Sequence, residues 1–280
     1  MTPRPAALPR RPLTIGELLD AAVQLVRSRA LIIFPLAAAF AVIEQAILFP
    51  IRRWLGVDFL DGFQGDFWDT VGALWLVATI GFGLEAFIIT TLGAWTGRAA
   101  AEDLVGAEPS GARLLRPRWR EAGSLSIAAP VTAVLSALGG LLGPLWVLGY
   151  GLFGLAGAAI GMERRGPFGA LRRAAGLTFR NGMRVTWVRV LGYSAWLVLR
   201  LGFFVGVAAL FDYVTLDAVG QFWVITAGFV VANSAAYLFL AALDAATLAE
   251  TRFRNEGLDI WLSRAERHAP LTPQALAVSR

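Results

Sequence analysis

The chain has 280 residues, of which 57% are hydrophobic and 16% are charged, and its mean hydropathy is +0.62. Because a soluble domain usually carries about 25% charged residues, this composition excludes a water-exposed enzyme with a single core and predicts an integral membrane protein. Every basic residue is Arg, Cys is absent, and the only His is His268, near the C-terminus. Disulfides and Cys/His metal sites are therefore excluded, and we expect no cofactor.

A helix that crosses a bilayer needs about 20 mostly apolar residues. Six runs of the sequence meet this requirement, at 30–51, 71–97, 124–142, 144–162, 186–211 and 219–249. The third and fourth runs are separated only by Gly143 and Pro144, a pair that interrupts helices and favours a tight turn. The sequence therefore predicts an all-α polytopic bundle of six transmembrane helices.

Arginine is distributed unevenly between the two sets of connecting loops. The N-terminal segment, the 98–123 and 163–189 loops and the C-terminal tail hold nearly all of it, whereas the opposite loops hold Arg52 and Arg53 together with six aspartates, at 58, 61, 66, 69, 212 and 217. Arg-rich short loops stay in the cytoplasm, so we expect a multi-pass protein of the inner (plasma) membrane with both termini cytoplasmic. The pI of about 10.6 then reflects topology and attraction to anionic lipid headgroups, and nucleic-acid binding is not expected.

Three basic amphipathic segments each precede a pair of spans. The first covers about 14–28, where Thr14 and Glu17 form a capping box and Arg27 and Arg29 are expected to end the helix at the lipid headgroups. The other two cover about 109–121 and 167–181. We expect three transmembrane hairpins, each introduced by a cytoplasmic interfacial helix. The alternative is that basic amphipathic loops are common to multispanning proteins and imply no repeat.

The spans and the interfacial segments together define a membrane domain at 14–261. Segment 1–13 is expected to be flexible, and the tail at 262–280 is expected to be disordered, with His268 in solvent. About thirty residues that include Glu17 and Asp20 precede the first apolar run. We therefore expect no cleaved signal peptide.

Three stretches spread along the chain carry a resemblance to a known family. They are residues 11–22 (RPLTIGELLDAA), residues 162–167 with 170–174 (MERRGP and ALRRA), and residues 251–259 (TRFRNEGLD). Their order resembles a poorly characterised family of bacterial six-helix membrane proteins related to the membrane domain of glycerophosphoryl diester phosphodiesterases. The resemblance implies a six-helix fold with an N-terminal and a central amphipathic helix, and it implies no catalytic residue.

Four polar side chains lie well inside predicted spans, where polar and ionisable groups are costly and need partners. They are Glu44 in the first span, Glu85 in the second, Arg200 in the fifth and Asn233 in the sixth. Glu85 and Arg200 are expected at similar depth and are candidates for an ion pair, with Glu44 as the competing acid. The group either fixes helix register as a buried pair, or lines a pathway for a solute, or reaches the headgroups from a lipid-facing position.

Glycines crowd the third and fourth spans, and Gly157 and Gly161 have the four-residue spacing of a GxxxG face. Such a face usually allows two helix backbones to approach closely. The spacing therefore predicts close packing of the fourth span, with flexible gating helices as the alternative.

Two function classes follow from these features. The first is a non-enzymatic scaffold or accessory subunit that holds anionic lipid, or a membrane or cytoplasmic protein partner, at Arg172, Arg173 and Arg180. A homo-oligomer is compatible with this class.

The second class is a small permease or channel subunit that uses Glu44, Glu85 and Arg200 along a pathway. An intramembrane enzyme is not expected, because the spans contain no His or Cys and no adjacent pair of acids. Asp244 and Glu250 are the nearest carboxylates near the inner end of the sixth span, and they are six residues apart.

Overall fold

The computed structural model describes residues 7–57, 66–116, 118–211 and 213–277. Within these ranges the chain is all-α and contains no β-strand. The helices, in chain order, are α1 (Ile15–Trp54), α2 (Phe67–Leu104), α3 (Trp119–Leu141), α4 (Trp146–Phe153), α5 (Ala156–Glu163), α6 (Pro167–Arg180), α7 (Arg184–Leu210), α8 (Ala218–Glu256) and α9 (Leu258–Glu266). Short 3-10 helices lie at Gly111–Leu115, Gly143–Leu145 and Pro273–Leu276.

Six segments of the described chain are long and apolar enough to cross a membrane, as the sequence predicts. Five of them are single helices, namely α1, α2, α3, α7 and α8. The remaining one, Gly143–Glu163, consists of a 3-10 turn followed by α4 and α5. A break at Gly154 and Leu155 separates α4 from α5, so this span is a discontinuous helix.

The beginning of α1 is capped as the sequence predicts. Thr14 Oγ1 accepts a hydrogen bond from the Glu17 backbone N–H (3.3 Å), and Glu17 Oε2 accepts one from the Thr14 backbone N–H (2.8 Å). The predicted end of this helix at Arg27–Arg29 is wrong, because α1 continues to Trp54. Arg29 turns into the bundle, where it is 5% exposed and forms an ion pair with Glu102 (3.0 Å).

The other two amphipathic segments differ from each other. Segment 109–121 contains only the 3-10 helix Gly111–Leu115 before α3 begins at Trp119, and Pro117 lies outside the described residues. A positive φ of 56° at Gly111 interrupts any longer helix there. Segment 167–181 does form a helix, α6, with Pro167 in its first turn, a position that tolerates proline because its N–H has no intrahelical partner.

Described residues within both terminal segments, which are expected to be flexible at 1–13 and disordered at 262–280, pack on the bundle. The Asp103 carboxylate accepts hydrogen bonds from the backbone N–H groups of Ala7 (3.2 Å) and Leu8 (2.8 Å). Near the other end Leu276 is fully buried, and its carbonyl accepts a hydrogen bond from Arg252 (3.2 Å). Burial of a few leucines holds these segments on the bundle despite their polar composition. Residues 1–6 and 278–280 lie outside the described ranges.

One end of the bundle holds most of the described arginines, several of which pair there with acids of other helices. We call this the Arg-rich end and the opposite one, near Trp54 and Phe67, the Arg-poor end. Helix α1 runs mainly along α8, and α2 packs against α3, α5 and α8 at the centre. Helix α7 is the outlying one, since most of its side chains from Leu197 to Leu210 are exposed. These exposed apolar side chains suit contact with lipid.

The predicted close packing at Gly157 and Gly161 is confirmed. A Cβ added at Gly157 would lie 2.0 Å from the Thr90 carbonyl oxygen, and one added at Gly161 would lie 2.0 Å from the Ala94 carbonyl oxygen. Helix α5 therefore rests directly on the backbone of α2, and only glycine fits at these two positions.

We predict that Gly157→Ala and Gly161→Ala each lower the thermal unfolding midpoint in detergent, because overpacking a tight contact costs about 1–3 kcal/mol. Gly202→Ala is the matched control, since Gly202 also lies within a span but has no atom within 4 Å of an added Cβ. Equal midpoints for all three variants would contradict the packing described here.

Candidate functional site

An ion pair joins the middle of α2 to the middle of α7. Arg200 Nη1 lies 2.5 Å from Glu85 Oε1, and the Tyr193 hydroxyl donates a hydrogen bond to Glu85 Oε2 (2.6 Å). The side chains of Arg200 and Glu85 are 12% and 10% exposed. The sequence analysis placed both residues at similar depth, and the structure brings them into direct contact.

The second acid, Glu44, lies beside this pair but is bound by neutral groups. The Tyr237 hydroxyl donates to Glu44 Oε1 (2.5 Å), and Asn233 Nδ2 donates to Glu44 Oε2 (2.9 Å). The same Tyr237 hydroxyl lies 3.5 Å from Glu85 Oε1, so it links the two carboxylates. Glu44 is 2% exposed and forms no ion pair with any residue that the structure describes.

These side chains surround a cavity of about 160 Å³ between α1, α2, α7 and α8. Towards the Arg-poor end the cavity continues along α1 past Gln45 and Leu48 to Arg52, whose Nη2 donates to Gln45 Oε1 (3.0 Å). The lining of the cavity consists of Glu44, Gln45, Leu48, Arg52, Val77, Ala78, Gly81, Phe82, Glu85, Tyr193, Arg200, Phe229 and Asn233. It thus includes all four of the intramembrane polar residues singled out from the sequence.

Several polar atoms of the residues that line the cavity have no hydrogen-bond partner among the described residues. Arg200 uses only Nη1, and its Nε and Nη2 are buried without an acceptor. Asn233 is 5% exposed and donates through Nδ2, but its Oδ1 is buried without a donor. Because an unpaired buried polar group costs about 1–3 kcal/mol, such groups are normally occupied by water or a ligand.

A second buried ion pair lies closer to the Arg-rich end. Arg189 donates to Asp244 through Nε (2.6 Å to Oδ1) and Nη2 (3.1 Å to Oδ2), and its Nη1 donates to the Tyr150 carbonyl. The guanidinium also lies 3.9 Å from the centre of the Tyr150 ring. Helix α4 stops just beyond Tyr150, so the carbonyl at the helix break receives its hydrogen bond from Arg189.

The sequence analysis missed this pair because it assigned Arg189 to a cytoplasmic loop. The available signal was Asp244, an acid within an apolar span that requires a basic partner.

An aromatic cluster lies beside this second ion pair. Trp146 stacks on Tyr150 at a centroid distance of 5.0 Å, and it also contacts Tyr193 (4.7 Å) and Phe82 (5.0 Å). Since Phe82 and Tyr193 line the cavity, the cluster connects the cavity to the Arg189–Asp244 pair. On its side towards the Arg-rich end, the cavity is therefore bounded by these aromatic rings and by the Arg189–Asp244 ion pair.

The three arginines predicted to bind a lipid or partner have different surroundings. Arg173 donates to Glu163 (2.8 Å) and Glu256 (2.5 Å) and clamps α6 to the ends of α5 and α8. Burial lowers the pKa of Arg173, but hydrogen bonds to Glu256 and Glu163 outweigh it and raise that pKa above its ordinary value. Arg172 and Arg180 are exposed and form no ion pair within the described chain. Only these two are free to contact another molecule.

Other arginines at the Arg-rich end also hold the bundle together. Arg98 donates to the carboxylate of Glu121 at the start of α3, and Glu250 accepts hydrogen bonds from Arg184 (2.9 Å) and Arg254 (2.7 Å). Arginines that the sequence analysis used only to assign the membrane topology therefore also make tertiary contacts. The partners in the Arg98–Glu121 and Arg184–Glu250 pairs lie 23 and 66 residues apart along the chain, so the sequence pattern alone did not reveal them.

Within the described ranges, no group of three or more His, Cys, Asp or Glu side chains is arranged to hold a metal ion. The chain matches no protein-family model, no curated protein and no solved structure in the comparisons made. The properties of the cavity must therefore be judged from its own residues.

We predict that Asp244→Ala lowers the free energy of unfolding by about 3–5 kcal/mol, because it leaves the Arg189 guanidinium buried without its counter-charge. The double variant Arg189→Met with Asp244→Leu should recover much of this loss, since apolar side chains can replace a buried ion pair. Denaturant unfolding in detergent measures both effects. Asp69→Ala, at an exposed position of α2, is the control, and a loss no larger than this control's would contradict the assignment.

Proposed function

We propose that this chain is a membrane permease, or the membrane subunit of one, that binds a small polar solute in the cavity around Glu85 and Arg200. The observation that carries the proposal is the incomplete hydrogen bonding of Arg200 and Asn233 at a cavity in the middle of the apolar spans. Arg29 and Arg98, in pairs that join helices, each leave one buried nitrogen, Nε, without a partner, whereas Arg200 leaves two. Unused donors and acceptors each cost free energy in such a place. A site for a solute needs them.

The contrast with Arg189 and Asp244 supports this interpretation. That pair makes two hydrogen bonds between its members, and the third arginine nitrogen is used by the Tyr150 carbonyl. Both pairs reach from α7, and Glu85 and Arg200 line the cavity described above, whereas Arg189 and Asp244 are not part of its lining. We therefore assign a structural role to the Arg189–Asp244 pair and a binding role to the Glu85–Arg200 pair.

The discontinuous fourth span also favours a permease. Transporters place broken helices beside their binding sites, where irregular backbone faces a cavity or other protein groups. Here the break follows Tyr150, whose ring belongs to the aromatic cluster next to the cavity. Movement at the break would shift the rings that separate the cavity from the Arg-rich end.

We further propose that the Arg-rich end is cytoplasmic and that the chain resides in the plasma membrane, on the basis of the arginine distribution. In this orientation the cavity extends towards the outer side. The arrangement as three hairpins with interfacial helices belongs to the same proposal, and so does the relation to the phosphodiesterase-associated membrane domain. Helix α6 is the segment that fits an interfacial helix best.

Cysteine accessibility tests the permease proposal without knowledge of the solute. Gly81 lines the cavity and has no atom within 4 Å of an added Cβ, so Gly81→Cys places a thiol there without a clash. The natural chain has no Cys, and labelling therefore reports this position alone. We expect a polar, membrane-impermeant thiol reagent to label Gly81→Cys from either side of sealed proteoliposomes, because a permease exposes its site alternately.

Gly202→Cys is the matched control for this experiment, since Gly202 is an exposed, lipid-facing position within the span of α7. A Gly81→Cys protein that reacts no faster than this control would show a sealed polar core. Reaction from one side only, under all conditions, would show a closed binding site. Either result would contradict a permease.

A second candidate function, the anchoring of anionic lipid, is favoured by the exposed face of α6. Phe168 and Phe179 are 71% and 65% exposed and lie on the same side of the helix as Arg172. Exposed rings beside exposed arginines are typical of a helix that lies in the headgroup region. The scaffold function predicted from the sequence therefore stays open with Arg172 and Arg180 as its residues, and a protein partner or a homo-oligomer remains part of that prediction.

We predict that Arg172→Gln with Arg180→Gln reduces the amount of anionic lipid that co-purifies with the protein, as measured by mass spectrometry, and leaves the thermal midpoint unchanged. Arg173→Gln should behave in the opposite way, because it breaks the clamp to Glu163 and Glu256. Unchanged lipid retention in the double variant would exclude this candidate function.

A further inference from the structure

We infer that the solute bound in this cavity is a small zwitterion that carries a carboxylate and an amine on the same carbon atom, such as a short-chain α-amino acid. This inference rests on the proposed permease function. It follows from the size of the cavity, from the unused hydrogen-bonding groups of residues that line it and from the charges of its lining.

The cavity is partly open, and its volume suits a solute of a few non-hydrogen atoms. The volume is about 160 Å³, which is close to that of an engineered cavity of about 150 Å³ that binds benzene. Alanine has the same number of non-hydrogen atoms as benzene. Large aromatic solutes, nucleotides and sugars exceed this volume.

Arg200 provides the features that recognise a carboxylate. Arg200 lines the cavity, its Nη1 is held by Glu85, and its Nε and Nη2 have no acceptor among the described residues. A guanidinium binds a carboxylate with two parallel N–H donors. Nε and Nη2 form one such edge.

Glu44 and Asn233 provide the features that recognise an amine. Glu44 is a buried carboxylate whose two oxygens each accept one hydrogen bond from a neutral donor, so no cation within the described chain pairs with it directly. Asn233 Oδ1 is an unused acceptor on the residue that contacts Glu44. An ammonium group, which carries three donors, would satisfy both.

The charge of the lining favours a solute without net charge. The ionisable acids and bases at the cavity are Glu44, Glu85, Arg52 and Arg200, two of each sign. A simple anion or cation would upset this balance in the low-dielectric middle of the bundle, where an uncompensated charge is costly. A zwitterion brings its positive end to Glu44 and its negative end to Arg200.

Protection from cysteine labelling tests this inference with three probes. Alanine carries both charged groups, propionate lacks the amine, and ethylamine lacks the carboxylate. We expect alanine to slow the labelling of Gly81→Cys at concentrations about 100-fold below those at which propionate or ethylamine does so, because a site built to bind a polar group rejects analogues that lack it. Equilibrium binding of radiolabelled alanine to the unsubstituted protein in nanodiscs provides a measurement that needs no variant.

Variants of the lining assign the two ends of the solute. In the Gly81→Cys background, Glu44→Gln should reduce the difference between alanine and propionate, and Arg200→Lys should reduce that between alanine and ethylamine. Asp69→Asn, an exposed carboxylate outside the cavity on α2, should leave both differences unchanged. Thermal unfolding of each variant checks that the bundle remains folded.

The outcomes separate this inference from the permease proposal. Protection by propionate or ethylamine as strong as that by alanine would overturn the inference of a zwitterion and would show that the site binds a simple anion or cation. Suppose that Gly81→Cys is labelled, that none of the three probes protects it and that radiolabelled alanine does not bind. This result would overturn the zwitterion inference but would leave the accessible cavity of the permease proposal in place. The absence of labelling altogether would overturn both proposals.

Discussion

The structure depends on one constraint, namely that a charge in the apolar middle of a bundle must have a partner. Two arginines of α7 meet this requirement to different extents. Arg189 is completely satisfied by Asp244 and by the Tyr150 carbonyl, whereas Arg200 is held by Glu85 and keeps two donors unused. This difference is the basis on which we propose a structural role for Arg189 and a binding role for Arg200.

The same constraint explains how α7 is attached to the rest of the bundle. Its first half is packed against α8, where Gly192 lies close to Leu243, and it is joined to that helix by Arg189. Its second half is largely exposed, and Arg200 is the charged link from this half to α2. A helix with one firmly packed half and one loosely packed half is suited to movement around a site at their junction.

The sequence predicted the six apolar spans, the glycine contact at Gly157 and four intramembrane polar side chains that line the cavity, because span length, small-residue spacing and isolated polar residues are local signals. It did not reveal contacts between distant residues. Arg29 was expected to end a helix and instead pairs with Glu102, and Arg173 was expected to bind a lipid and instead clamps α6. In the sequence each of these arginines resembles a surface charge. Glu102 lies 73 residues from Arg29, and the partners of Arg173 lie 10 and 83 residues from it. Only folding brings these side chains together.

The most direct test of the central claim is a double-mutant cycle on Glu85 and Arg200, read as the free energy of unfolding of Glu85→Gln, Arg200→Gln and the double variant. We expect the double variant to lose less stability than the two single variants would together, with a coupling energy of about 0.5–3 kcal/mol, since each single change leaves one charge buried without its partner. Effects that add to within about 0.3–0.5 kcal/mol would show that the two side chains do not form the ion pair around which the proposed binding site is built.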